Sequence, residues 1–160
     1  MRALLIRIIL VTFLFVFFIS EQLQAQEKSD GRFIAKDNGT VLDTKTGLMW
    51  AARDNGSDIK WLKAKSYCEN YRGGGYTDWR MPTREELAGL YDANKSQKVE
   101  CSGLAVHVAT DLIHLTCLWS WASERRGSSA TDFDFMDGKW GWYHKLIHYK
   151  CRVLPVRFNK

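Results

Sequence analysis

Asp78-Trp79-Arg80-Met81-Pro82-Thr83-Arg84-Glu85-Glu86-Leu87 (DWRMPTREEL) is the most explicit structural instruction in the chain. Thr83 stands where an N-cap belongs, and Glu86 follows three residues later. That spacing makes a capping box, in which each side chain satisfies the other's backbone N–H. A helix therefore starts here, with Leu87, Leu90 and Tyr91 as its buried face. Upstream, Trp61, Ala64, Tyr67, Cys68 and Tyr71 recur at helical spacing, while Lys60, Lys63, Lys65 and Glu69 fall elsewhere. Gly73-Gly74-Gly75 ends that helix. Two helices thus occupy the middle of the sequence.

Strand patterns flank them. Phe33–Ala35, Thr40–Asp43 and Leu48–Ala52 are short strands, and Asn38-Gly39 between the first two is the pair a type I′ hairpin turn requires. The same turn chemistry accounts for the sequons at Asn38 and Asn55 without glycosylation. Lys95 to Thr116 shows no period and lies between Cys101 and Cys117, so a stapled loop is expected. Trp119/Trp121, Phe133/Phe135 and Trp140/Trp142 then sit at spacing two, with Asp137-Gly138 marking a hairpin between the last two segments. A final strand runs from about Tyr149 to Arg157, with Pro155 at an edge or bulge. Strands, two helices, a stapled loop and an antiparallel sheet make an α+β domain.

The 160 residues, 46% hydrophobic and 26% charged, exclude a disordered or collagen-like chain and leave room for one domain. Met1–Ala25 reads as a signal peptide: Arg2 and Arg7 precede an apolar run, Ile8–Ile19, of about 18 Å as a helix, short of a bilayer core of about 30 Å. Leu23, at the −3 position, keeps an uncleaved anchor as the alternative. Cleavage after Ala25 leaves a single domain, 26–160, of net charge +4, exported to the periplasm or the cell surface and without a stable membrane span. No long basic block exists, which disfavours nucleic acid as a partner. All four cysteines lie in the mature part, and an even count in an exported chain reads as two disulfides with three possible connectivities.

Metal and catalytic motifs are weak. The cysteine gaps of 33, 16 and 34 residues do not suit zinc, and His144/His148 lie among strands, where i and i+4 are about 13 Å apart. Asp132, Asp134, Asp137 and Gly138 miss calcium-loop spacing. His107 and His114 lie near Cys101 and Cys117, but oxidation is the expected fate of exported thiols. No catalytic residue, metal or cofactor is assigned. The basic residues are the remaining candidates: Arg125 and Arg126 in a Gly/Ser-flanked loop, with Lys139, Lys145 and Lys150 in the final hairpins, residue types that clamp sulfate or carboxylate groups. From Arg125 to Lys160, eight basic residues face three acidic ones, an excess larger than that of the whole mature chain. Most tryptophans sit at core periodicity, and Trp50, Trp61, Trp79 and Trp119 are expected inside.

D-T-K-T-G-L-M-W at Asp43–Trp50, Trp61-x-x-Ala64-x-x-Tyr67-Cys68, the Gly75–Leu87 segment, Trp119-Ser120 and Cys151-Arg152-Val153-x-x-Val156-Arg157 together resemble one bacterial family. It is the family named after the C-terminal domain of the Legionella collagen-like adhesin, long catalogued as a domain of unknown function. The resemblance spans about residues 33–157 and implies a C-type-lectin-like fold, an extracytoplasmic location and no established enzyme activity. In the founding adhesin the domain is associated with binding sulfated glycans. The collagen-like stalk, the E-P-N and W-N-D tripeptides of animal C-type lectins and the paired cysteines of formylglycine-generating enzymes are all missing here. The lectin-like arrangement implies Cys68 paired with Cys151, leaving Cys101 with Cys117. The expectation is an exported binding module for an anionic glycan or a surface protein. The alternatives are an envelope enzyme with an unrecognised site and a structural or assembly protein of the envelope.

Overall fold

The computed structural model describes residues 28–146 and 150–159. The expected signal segment and His148 lie outside them. Three strands, β1 (Phe33–Lys36), β2 (Thr40–Asp43) and β3 (Leu48–Ala51), precede helices α1 (Trp61–Asn70) and α2 (Arg84–Ala88). Two short strands follow, β4 (Gln97–Lys98) and β5 (Ala105–Val106). The chain ends in β6 (Trp119–Arg126), β7 (Ser129–Asp134), β8 (Lys139–His144), β9 (Cys151–Arg152) and β10 (Val156–Phe158). One sheet has the order β1-β2-β3-β10, another β8-β7-β6-β9, with β4-β5 a small third ladder. The domain is mixed helix and sheet, mostly strand.

The recognisable motifs are turns and anchors. In D-T-K-T-G, the buried carboxylate of Asp43 accepts from Arg32 at 2.7 and 2.5 Å, from the Thr46 hydroxyl at 2.7 Å and from the Lys45 amide at 3.1 Å, which ties the β2–β3 turn to β1. In D-W-R-M-P-T, Trp79 is buried, donates to the Gly73 carbonyl and meets Tyr71 edge-on at 5.1 Å. Asp78 accepts from Arg157 at 2.6 Å, and Arg157 also lies 3.9 Å over the Tyr76 ring, so the closing V-R is clamped to the segment before α2. The capping box at Thr83 forms as expected, and Arg80 grips the Glu86 carboxylate at 2.6 and 2.7 Å. Arg152 donates to Thr116, which itself bonds the buried Asp54.

Two apolar clusters result. One gathers Phe33, Val41, Trp50, Leu87, Leu90, Phe133, Phe135 and Val156 between the first sheet, α2 and β7. The other packs Trp61, Ala64 and Cys68 of α1 against Met81, Trp121, Ala130, Cys151 and Val153. Trp50, Trp61 and Trp79 are buried as expected. Trp119 is half-buried, touching both clusters and donating to Asp134 at 2.8 Å.

Several expectations are corrected. The β1–β2 hairpin closes around three residues, Asp37-Asn38-Gly39, with Gly39 at φ +77°, a conformation costly for any residue with a Cβ. The stretch expected as one last strand is two: Leu154 and Pro155 separate β9 from β10, and each joins a different sheet. Pro155 lacks the N–H a continuous strand would need. β9 runs parallel to β6, so the second sheet is mixed. Arg125 and Arg126 end β6; the loop itself is Gly127-Ser128. Cys101 and Cys117 form a disulfide, as expected. Cys68 and Cys151, expected as a second bridge, are free thiols. Both are fully buried in the α1 cluster, where cysteine packs as a small apolar side chain. Burial pushes both thiols well above their ordinary range.

Candidate functional site

β8 is an edge strand whose side chains alternate. Trp140, Trp142 and His144 share the α2 side; Lys139, Gly141 and Tyr143 share the α1 side. Trp140 is 46% exposed and Trp142 half-buried. Each carries an arginine on its face: Arg84 stands 4.2 Å over Trp140, and Arg126 stands 4.6 Å over Trp142. Ring quadrupoles attract guanidinium groups in this way.

The fold sets these pairs up from three elements. β6 bulges between Trp121 and Arg125, so Glu124 leaves the regular ladder. Its carboxylate accepts from the Arg84 amide at 3.2 Å and from the Thr131 hydroxyl at 3.2 Å, which fixes the start of α2 against the sheet. An acidic group there also meets the positive end of the helix. Arg84, the first helical residue, is thereby aimed at Trp140. Arg126 reaches Trp142 from the far end of β6. On the α1 side, a Cβ on Gly141 would meet the Tyr143 ring at 2.5 Å, so glycine makes room for that ring along the strand.

The five basic candidates do not form one cluster. Arg126 lies on the α2 side with Trp142, and its neighbour Arg125 takes the opposite face. Lys139 is paired with Asp137 at 2.7 Å. The Lys145 ammonium donates to the Gly127 carbonyl and lies 5.6 Å over Trp61. Lys150 is exposed in the turn before β9 with φ +64°. Arg152 and Arg157 are buried in internal ion pairs with Asp58 and Asp78, so the surface excess is smaller than the sequence count. Arg84, Trp140 and Trp142 were missed as site residues. The available signal was Trp-Gly-Trp beside a hairpin glycine, where spacing of two at a sheet edge does not require burial.

A groove of about 450 Å³ lies between α1 and Phe158. Its charged walls are committed to one another: Lys65 pairs with Glu69, and Arg80 with Glu86. Burial pushes the Glu86 carboxyl up, but the bonds from Arg80 and Thr83 outweigh it and hold the group below its ordinary value. Thr83 and Glu86 are therefore folding devices. Cys101 and Cys117 are bonded to each other, so neither is a nucleophile in this state. His114 faces Glu100 at 3.2 Å, and His107 faces the Lys95 carbonyl. Asp134 accepts from Trp119 and Met136. Among the described residues there is no group of three or more metal-ligating side chains, and no helix is long and apolar enough to cross a membrane.

No curated protein matches the chain. The model of one family, described as the Lcl C-terminal domain, matches residues 39–157, a span that holds the D-T-K-T-G turn, the Thr83 capping box, the bulged β6 and the Arg157 clamp. The chain belongs to the Lcl C-terminal domain family.

Proposed function

We propose that this chain is an exported, non-catalytic binding module with a C-type-lectin-like fold, and that it takes an anionic, sulfated glycan on the outer face of β8. The observation that supports this most is the row of two arginine-capped tryptophans, Arg84–Trp140 and Arg126–Trp142, at an exposed sheet edge. Tryptophan offers a flat apolar face to a sugar ring, and an adjacent guanidinium offers donors to a sulfate or carboxylate, Arg84 only through the N–H groups left over from its bond to Glu85 at 2.6 Å. Lys139 and Lys145 contribute less because their ammonium groups already hold partners, and Arg125 stands on the opposite face of its strand. The Cys101–Cys117 bridge fits an oxidising compartment, which supports a periplasmic or cell-surface location.

Exposed charges contribute about 0–1 kcal/mol each, so a repeating polymer binds where a single sugar does not. Retention on a heparin column tests the reading. The parent protein should be retained at low salt and elute as salt passes about 0.15 M, where the screening length falls to about 8 Å. The Arg84→Ser, Arg126→Ser variant should elute earlier. Equal elution of the two proteins would discard the row, and no retention at low salt would discard the anionic ligand.

A further inference from the structure

The start of α1 is built against the stability of a helix. Lys60 stands at its N-cap without a side-chain bond, Lys63 follows in its first turn, and no acidic residue there meets the positive end. Leu62, between the two lysines, is 58% exposed. Neither helix stability nor the core accounts for these three side chains. Two backbone bonds gather more residues of the same kinds around them. The Trp61 amide donates to the Lys145 carbonyl at 3.3 Å, which brings the backbone of Leu146, itself 54% exposed, next to that of Leu62. The Ile59 amide donates to the Cys151 carbonyl at 3.1 Å, which brings Lys150 next to the start of the helix. In the β6–β7–β8 ladder, Arg125 and Tyr143 both stand opposite Ala130 and share the α1 side, where Tyr143 is 42% exposed.

The charge of this surface is one-sided. Among the described residues, Lys60, Lys63, Arg125 and Lys150 hold no carboxylate, and the Lys145 ammonium bonds only the neutral Gly127 carbonyl. The nearby acids are engaged or enclosed: Glu69 by Lys65, Asp58 by Arg152, and Asp132 buried in β7. We infer that this surface docks on an anionic phospholipid bilayer. Leu62 and Leu146 enter the boundary between headgroups and acyl chains, and the five basic residues meet the phosphates around them. Charge and apolar exposure together select that partner. A soluble polyanion would use the cations and leave the leucines in water, and an apolar protein face would leave the cations unmatched. A bilayer satisfies both, because its acyl chains lie directly beneath its negative groups. Tyr143 suits the same depth, with an apolar ring and a polar hydroxyl. Trp140 and Trp142 stand on the other side of β8, so docking leaves the arginine–tryptophan row turned away from the lipid. The inference does not depend on what that row binds.

Vesicle co-sedimentation of the mature domain, 26–160, tests this. That domain keeps the strands and both apolar clusters described above, and it lacks the Ile8–Ile19 run that would itself enter lipid. Phosphatidylcholine vesicles with about 30% phosphatidylglycerol should bind the parent, pure phosphatidylcholine should not, and binding should weaken as salt rises. Lys60→Gln, Lys63→Gln should bind about thirtyfold more weakly, and Leu62→Ser, Leu146→Ser at least about tenfold more weakly. All four side chains are exposed, so the unfolding midpoints should not move. The leucine variant should elute from heparin with the parent, which separates this surface from the proposed glycan site. A parent that ignores anionic vesicles at low salt would overturn the inference. Equal vesicle binding by parent and leucine variant would also overturn it, by leaving only unspecific attraction between charges. So would a parent dimer in sedimentation equilibrium that the leucine changes dissolve, since the occupant would then be a second copy.

Discussion

Removing the Cys101–Cys117 bridge with a paired Cys101→Ala, Cys117→Ala change should lower stability by about 3 kcal/mol. The bridge closes a segment of 16 residues, and the loop-entropy relation gives about that value for a loop of this length. The segment is not a passive loop. Val106, Val108, Ile113 and Leu115 all bury their side chains from within it, and its regular structure is confined to the two-residue strand β5, paired with β4 just outside the bridge. Few ladder bonds therefore hold these side chains in register, and the cross-link supplies much of the constraint. The Cys101 amide already bonds the Thr116 carbonyl at 3.1 Å, so the bridged ends are positioned without distortion of the backbone. With a urea dependence of about 1.5 kcal/mol per molar, the midpoint should fall by about 2 M. Tryptophan fluorescence reports it, since Trp50, Trp61, Trp79 and Trp121 are all buried. A midpoint shift under about 0.5 M would refute the view that chain entropy in this segment limits stability.

Denatured without reductant, the protein should yield thiols at Cys68 and Cys151 alone; native, both should resist alkylation at pH 8, because burial suppresses the thiolate. No titratable thiol after denaturation would restore the bridge. Thr83→Ala should cost about 1 kcal/mol by removing the cap of α2, measured by urea unfolding. Acid should destabilise the fold through Asp43: burial raises its carboxyl, but Arg32, Thr46 and Lys45 outweigh this and hold it below 3.8. A depressed folded pKa gives stability that is present above the unfolded value and lost as pH falls through the folded one. Asp43→Asn should flatten that part of the pH–stability curve below about pH 4, and an unchanged slope would count against it.

Local chemistry was the legible part of this fold. The Thr83 capping box, the α1 face around Trp61 and the hairpin at Asp137-Gly138 are short-range signals, and they stand where the residues put them. Long-range pairing was not legible. Nothing in Val153-Leu154-Pro155 alone announces that the chain leaves one sheet for another, because both halves read as apolar strand. The site divided along the same line. Arg126 was visible as an exposed cation, but its partner Trp142 looked like core, since alternation does not say whether a strand lies at an edge. Arg84 was hidden inside the helix-start signal; only the bulge at Glu124 brings it to Trp140. The lysines were over-counted, because sequence gives charge and not the Asp137 or Gly127 oxygen that holds it.

The most direct test of the proposed role is a fluorescence titration with a sulfated oligosaccharide and its desulfated equivalent, on the parent and on Trp140→Phe, Trp142→Phe. Trp140 is exposed and Trp142 half-buried, so their emission senses a ligand on this face, whereas Trp50, Trp61, Trp79 and Trp121 are buried. The sulfated chain should change the parent's emission with a midpoint that rises with salt, the desulfated chain should not, and the double variant should lose the change while keeping its unfolding midpoint. An identical response from both sugars, or a full response without Trp140 and Trp142, would contradict the account.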